Sequence, residues 1–146
     1  MRLLHVALAV MIGTDALAGS VNRTIDGDDL CLCGDDAFVR RFAGKSRQCD
    51  PACVRVRLCG IDAPERGRPG YREATTALDT LTRGKTTACV AVGDGTPCDG
   101  RSQRFSYDRV VAQCSIEGRD LACDLVKRGH AIDWPRFSGG HYQQCR

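Results

Sequence analysis

Residues 54–58 alternate apolar side chains with charged ones, and the rest of the chain can be arranged around this segment. Aliphatic residues fall at every second position, with Arg55 and Arg57 between them. Successive side chains of a strand point to opposite faces, so one face is apolar and the other carries the arginines. The pattern therefore predicts a half-buried strand that ends at Gly60.

The turn after this strand carries two carboxylates. Pro64 cannot lie in a central strand, so the chain is expected to turn there. Asp62 and Glu65 then follow the strand directly, where binding sites are often built. The same residues suit the start of a helix, with Asp62 as the N-cap and Pro64 in the first helical position. The pattern alone leaves both alternatives open.

The remaining periodicities predict the order strands, helix, two strands and helix. The predicted strands are 21–24, 30–33, 86–92 and 105–117, and the predicted helices are 71–83 and 121–128. Residues 34–52 are irregular and are expected to form a long loop held by its own cysteines. The order favours a mainly β fold with helices (α+β). A small closed antiparallel barrel fits, such as the five-stranded OB-fold barrel with two or three packed helices.

The N-terminal segment 1–18 has the pattern of a secretory signal peptide. Arg2 provides a positive charge, residues 3–13 are mostly apolar, and residues 16–18 read Ala-Leu-Ala. The apolar run is too short to span a bilayer as a helix. We expect cleavage after Ala18, which leaves one domain of residues 19–146. A buried or membrane-surface N-terminal helix is the alternative.

Ten cysteines, all after the predicted leader, agree with export. Such a density is typical of disulfide-bonded proteins in an oxidising compartment, so the protein is expected to be secreted or periplasmic. Zinc binding is the alternative, but no histidine forms a ligand-spaced pair with a cysteine. Cys89 and Cys114 lie on strands expected to be neighbours, and we predict that they are joined.

Charge alone does not identify a partner. The formal net charge of +3 permits a polyanion but does not indicate one, so any anion must meet a local cluster. Asp26 and Asp28 flank Gly27, which suits a hairpin turn. Closely spaced carboxylates also suit calcium, although a solvated acidic turn is the more frequent explanation.

The charged residues at predicted strand ends would form a hydrolytic site if the fold brought them together. Two aspartates and a backbone carbonyl would hold a calcium ion, and a glutamate would orient or deprotonate a water. Arg57 and Arg109 would grip a phosphate with their forked donors. This combination is typical of metal-assisted phosphodiester hydrolysis.

Four segments resemble, in the family's order, the blocks of the staphylococcal nuclease (thermonuclease) family. They are residues 24–30 (TIDGDDL), 57–65 (RLCGIDAPE), 107–114 (YDRVVAQC) and 120–131 (DLACDLVKRGHA). Block 57–65 is the specific one. The resemblance implies an oligonucleotide-binding barrel with helices, a calcium ion, and cleavage of DNA and RNA that leaves 3′-phosphate ends.

The resemblance also implies roles for individual acidic positions. Asp28 and Asp62 match the calcium carboxylates, with the Ala63 carbonyl as a further ligand. Asp26 matches the outer acidic neighbour of the metal. Glu65 matches the residue assigned as general base.

The basic positions match as well, with departures around them. Arg57 and Arg109 match the two phosphate-binding arginines, and Tyr107 a tyrosine near the nucleotide. Asp29 stands where the family usually has threonine and is expected to add negative charge beside the metal. Asp108 stands at a common glycine position, which bears on how the loop of Arg109 is placed. Residues 29–56 form a longer segment than usual.

Two further classes compete with an exported calcium-dependent nuclease. One is a nucleic-acid-binding module that kept the barrel without the chemistry, and the other is a disulfide-rich structural protein. Trp134 or Phe137 could stack on a base or belong to the core. We expect DNA and RNA as partners, no stable membrane association after cleavage, and a monomer.

Overall fold

The structure is a computed structural model that describes residues 16–146. In this part of the chain it has nine strands, four α-helices and a final 3-10 helix. The strands are β1 (Ala16–Asp26), β2 (Asp29–Cys33), β3 (Cys53–Leu58), β4 (Ile61–Asp62), β5 (Thr86–Ala91), β6 (Phe105–Ser106), β7 (Arg109–Ile116), β8 (Arg119–Asp120) and β9 (Ile132–Asp133). The helices are α1 (Ala37–Phe42), α2 (Tyr71–Thr82), α3 (Leu121–Lys127) and α4 (Pro135–Ser138), with the 3-10 helix at His141–Cys145.

Five of the strands close into a barrel. β1 pairs antiparallel with β2 and β5, β2 with β3, and β5 with β7. β3 and β7 complete the ring in parallel, with Val56 opposite Val110. The OB-fold barrel with packed helices is confirmed. The expectation that every pair is antiparallel is wrong, because strand directions cannot alternate all the way round a ring of five.

Side chains at the predicted apolar positions form the core of the barrel. Val56 and Leu58 of β3 and Cys114 of β7 are fully buried, as are Ala74 and Leu78 of α2. The helix bounds agree closely with the helical spacing of the apolar residues. Helix α2 packs against β1 and covers that side of the barrel.

Two predicted segments are divided differently in the structure. The strand expected over 105–117 is a β6–β7 hairpin whose turn contains Tyr107 with a φ of 57°. The alternative of a helix starting at Asp62 is wrong. Asp62 ends β4, which pairs with β9, and the next helix begins at Tyr71.

All ten cysteines form disulfides. The pairs are Cys31–Cys49, Cys33–Cys53, Cys59–Cys98, Cys89–Cys114 and Cys123–Cys145. The predicted Cys89–Cys114 pair is confirmed, between facing residues of β5 and β7. It closes a loop that stabilises the fold by about 3.5 kcal/mol in the chain-entropy model.

The 34–52 segment is not held by cysteines of its own: Cys49 is bonded to Cys31 of β2, and Cys33–Cys53 joins the strands on either side of the segment. The segment is also not entirely loop. Asp36 caps α1 by accepting a hydrogen bond from the Phe38 amide at 2.8 Å. Phe38 and Phe42 lie one turn apart, with their rings tilted by 53° and their centroids 4.5 Å apart. A side-chain cap and an i, i+4 aromatic pair stabilise a short helix that the irregular pattern did not predict.

The predicted signal peptide falls mostly outside the described residues, which begin at 16. Residues 16–18 belong to β1, where they pair with β5, and Leu17 is fully buried. Cleavage after Ala18 stays a prediction, and it would remove these three strand positions. Of the described helices, none has the length and apolar character needed to cross a membrane.

Candidate nuclease site

A cleft of about 940 Å³ lies beside the end of β3. Seven of the eight predicted site residues line it: Asp26, Asp28, Arg57, Asp62, Ala63, Glu65 and Arg109. The eighth, Tyr107, stands fully exposed at the tip of the β6–β7 hairpin and is not among the lining residues. Residues from three separate segments of the chain thus meet in one cavity.

The β1–β2 turn reaches the cleft because Gly27 has no side chain. A Cβ at this position would lie 2.6 Å from the Cβ of Ala74 and 2.8 Å from that of Ala63. The turn therefore packs directly on α2 and on the segment after β4. The Leu58 amide also donates to the Asp28 carbonyl at 2.8 Å, which fixes the turn to the end of β3.

Asp28 and Arg57 form an ion pair on the cleft wall. Arg57 Nη1 lies 3.1 Å from Asp28 Oδ2, which also accepts a hydrogen bond from the Ala63 amide at 2.9 Å. Burial raises the pKa of Asp28 to about 8, with the Arg57 charge acting in the opposite direction. The Arg57 guanidinium also donates to the carbonyls of Leu58 at 2.7 Å and Ile61 at 3.0 Å.

Asp29 holds the second arginine. Its carboxylate is completely buried and accepts from Arg109 Nη1 at 2.8 Å and from Arg55 Nη2 at 2.8 Å. Arg55 also pairs with Asp108 at 3.2 Å. The expectation that Asp29 adds negative charge beside a metal is therefore replaced by a different arrangement, in which Asp29 neutralises and orients two arginines. Asp108, the other departure, joins the same network.

The cleft offers the oxygen ligands that calcium prefers, although these ligands do not gather into a coordinating cluster. Asp26, Asp28 and Asp62 contribute carboxylate oxygens to the lining, and hard cations select such ligands. Across residues 16–146, no three histidine, cysteine, aspartate or glutamate side chains gather into a metal-coordinating cluster. The donor set thus fits calcium in chemistry, while Asp28 is engaged with Arg57.

Sequence reasoning missed part of the lining. Arg68, Arg101, His130 and Arg136 also face the cleft. Arg68 and Arg101 lie in loops and Arg136 in the tail, outside any recognisable motif, whereas His130 falls within the 120–131 block. Trp134 and Phe137, named from sequence as aromatics of two alternative roles, line the cleft too, with Trp134 39% exposed.

A family model described as staphylococcal nuclease homologue matches residues 55–145. The chain belongs to this family. The match covers most of the chain and includes the end of β3, its turn and the Arg109 strand. No curated protein gives a significant match to the chain.

Membership of the staphylococcal nuclease homologue family suggests a nuclease that acts on nucleic acid. The closed barrel agrees with the family's OB-fold, and the cleft lies where the matched segments converge. The five disulfides suggest an oxidising, extracellular environment.

Proposed function

We propose that this protein is an exported calcium-dependent nuclease that hydrolyses phosphodiester bonds of DNA and RNA and leaves 3′-phosphate ends. The observation that carries the proposal is the convergence of Arg57, Glu65, Arg109 and the carboxylates Asp28 and Asp62 on one cleft. Two arginine side chains and several carboxylates from distant segments make a chemically complete set for phosphoryl chemistry.

The two arginines bind and polarise the phosphate. A guanidinium has five N–H donors, and the contacts to neighbouring protein groups use only some of them. Arg109 uses Nη1 for Asp29, and no other side-chain nitrogen of Arg109 has a hydrogen-bond partner among residues 16–146, so these donors can face the cleft. Forked donors suit the equatorial oxygens of a phosphate on which negative charge develops in the transition state.

Asp28, Asp62 and the Ala63 carbonyl would hold the calcium ion, with Asp26 outside them. The bound cation would supply Lewis-acid polarisation of the phosphate oxygen. Binding would require Asp28 to give up part of its contact with Arg57, since both use the same carboxylate. That exchange would free Arg57 donors for the substrate.

Glu65 is the proposed general base. Its side chain is exposed at the cleft, three residues after Asp62 across the Pro64 turn. From there it would orient a water and accept its proton as the water attacks phosphorus. The leaving 5′ oxygen takes the negative charge, and the phosphate stays on the 3′ side.

A binding module without hydrolysis is the second candidate. It is favoured by one observation: no three acidic, histidine or cysteine side chains of the described residues form a coordinating cluster. Such a module would use Arg57 and Arg109 to hold the backbone of a nucleic acid and would leave it intact.

One assay separates these candidates. The oxidised protein is incubated with DNA or RNA in calcium or in chelator, and the product ends are tested for phosphatase-sensitive 3′-phosphate. Calcium-dependent cleavage with such ends supports the proposed function. Binding without cleavage supports the module. If the protein neither cleaves nor binds nucleic acid, a structural protein is the remaining interpretation.

A further inference from the structure

We propose a second phosphate-binding subsite on the part of the cleft wall beside Gly60, formed by Arg101 with Arg136. It would hold a backbone phosphate that flanks the one being cleaved, so the ligand is a polynucleotide strand longer than one linkage. The inference rests on the proposed function only because the neighbouring phosphate is taken to be the one that is hydrolysed. The subsite itself can be tested by binding alone.

The wall is built where three segments meet at Gly60. A Cβ there would lie 2.9 Å from side-chain atoms of Ser138 and Tyr142 and 3.1 Å from Cys98 Sγ. The Gly60 carbonyl accepts from the Trp134 amide at 2.8 Å. The end of β3, the loop containing Cys98 and the C-terminal tail are thus packed together three residues after Arg57.

The loop that presents Arg101 is held on both sides. Cys98 is bonded to Cys59, whose amide donates to the Ala112 carbonyl of the barrel at 2.9 Å. The Arg101 amide donates in turn to the Cys98 carbonyl at 3.0 Å. Asp99 closes the loop by accepting from the Gly93 amide at 2.6 Å. Such a support limits the motion of the Arg101 backbone.

The Arg101 guanidinium packs against the backbone of Gly139. A Cβ on Gly139 would lie 2.7 Å from Arg101 Nε and 2.9 Å from its Cζ, so the guanidinium packs directly over the bare glycine. Gly139 ends the helix that carries Arg136, whose guanidinium carbon lies 5.4 Å from the ring centroid of Phe137.

Both arginines retain unneutralised charge. Arg57, Arg55 and Arg109 each have a carboxylate partner, whereas neither Arg101 nor Arg136 has an ion pair within the described part of the chain. Both are exposed and line the cleft. Two cations at fixed positions on a wall, facing a site for another phosphate, suit the repeated charge of a nucleic-acid backbone.

The test is binding of a fluorescent 12-nucleotide DNA strand in chelator, with gels to show that the probe stays intact. Arg101→Gln and Arg136→Gln should each weaken affinity roughly fivefold, the upper range for an exposed ion pair. Together they should lower the salt slope by about 0.7, the value for one phosphate contact on a single strand. Arg47→Gln, which removes an exposed arginine outside the cleft, is the matched control.

Unchanged affinity in both cleft variants, or a loss equal to that of Arg47→Gln, would overturn the subsite. Absence of binding by the wild type would overturn it as well. A wild type that binds through Arg101 and Arg136 but never cleaves, with or without calcium, would support the subsite and contradict the nuclease. Near-ultraviolet circular dichroism of each variant verifies that the fold is kept.

Discussion

The two arginines of the central cleft are held in place by different means. Arg57 lies within β3 and bonds the carbonyls of Leu58 and Ile61, which belong to its own segment. Arg109 begins β7 and bonds Asp29, which lies 80 positions earlier in the chain. Arg57 is placed by carbonyls of its own segment and by its ion pair with Asp28 in the adjacent turn. Arg109 depends instead on the buried carboxylate of Asp29 in β2, two strands away round the barrel.

Two consecutive aspartates divide this work. Asp28 faces the cleft and contacts Arg57, whereas Asp29 is completely buried and joins Arg109 to Arg55. Both carboxylates are buried, but Asp28 lines the cleft and Asp29 does not. A ligand that enters the cleft can therefore replace the contact between Asp28 and Arg57. The Asp29 carboxylate has no such substitute, so its ion pairs hold one geometry.

The largest expected effect on kcat comes from removing the forked guanidinium donor of either Arg57 or Arg109. Arg57→Lys and Arg109→Lys keep the charge but lose the bidentate geometry. Each should lower kcat by on the order of 10²–10³, the cost of losing one donor to developing charge. Steady-state cleavage assays measure this, with Arg47→Lys as the control. Near-wild-type rates in folded variants would remove these residues from the site.

Asp29→Asn tests the long-range support and should act on stability and rate together. It leaves Arg55 and Arg109 without their buried countercharge, so the free energy of unfolding should fall by about 3 kcal/mol, typical of breaking a buried pair. The rate should fall as well, because Arg109 loses its anchor. Urea unfolding and kinetics are measured on the same preparation.

A double variant separates positioning from general damage. If Asp29 acts through Arg109, adding Asp29→Asn to Arg109→Lys should reduce kcat less than it does in the wild type, while the stability loss persists. Additive losses in kcat would show that Asp29 affects the rate by another route.

Asp108→Asn is the smallest expected change and serves as the matched control for Asp29→Asn. Asp108 contacts Arg55 but not Arg109, and its side chain is one-third exposed. A hydrogen bond from Ser46, followed by the Arg55 charge, lowers the pKa of Asp108. The stability that the Asp108 carboxylate contributes is therefore present above its unfolded pKa and is lost as the pH falls through its folded pKa. Near neutral pH we expect less than about 1 kcal/mol of destabilisation.

The purified Asp108→Asn variant is expected to keep the full wild-type kcat. A rate loss as large as that of Asp29→Asn would mean that the whole network, rather than Asp29, sets the position of Arg109.

Local patterns predicted the elements that carry the site, because those elements depend on local periodicity. The alternation around Arg57 and the helical spacing of α2 both survive in the structure. The Cys89–Cys114 pair was also within reach, since it required only that two strands be neighbours. The other four pairings depend on loop paths that no periodicity encodes.

Long-range contacts explain what the pattern could not predict. The role of Asp29 follows from its burial against Arg55 and Arg109, and sequence places these residues far apart. The Arg101 wall likewise depends on a disulfide and on glycine contacts between the loop and the tail. Helix α1 rests on a cap and an aromatic pair within an otherwise irregular segment.

The division of labour between Asp62 and Glu65 bears most directly on the proposed chemistry. Asp62 should touch calcium at about 2.3–2.6 Å, the range for oxygen ligands, and Glu65 should act one water further out. Asp62→Asn should then weaken calcium affinity, and additional calcium should restore part of its activity. Glu65→Gln should retain calcium binding.

Calcium titration of Glu65→Gln by calorimetry, run beside the cleavage assay, is the decisive measurement. The account predicts near-wild-type calcium affinity together with slow cleavage at saturating calcium. Loss of calcium binding, with the full rate recovered at high calcium, would make Glu65 a metal ligand and would contradict its role as the general base.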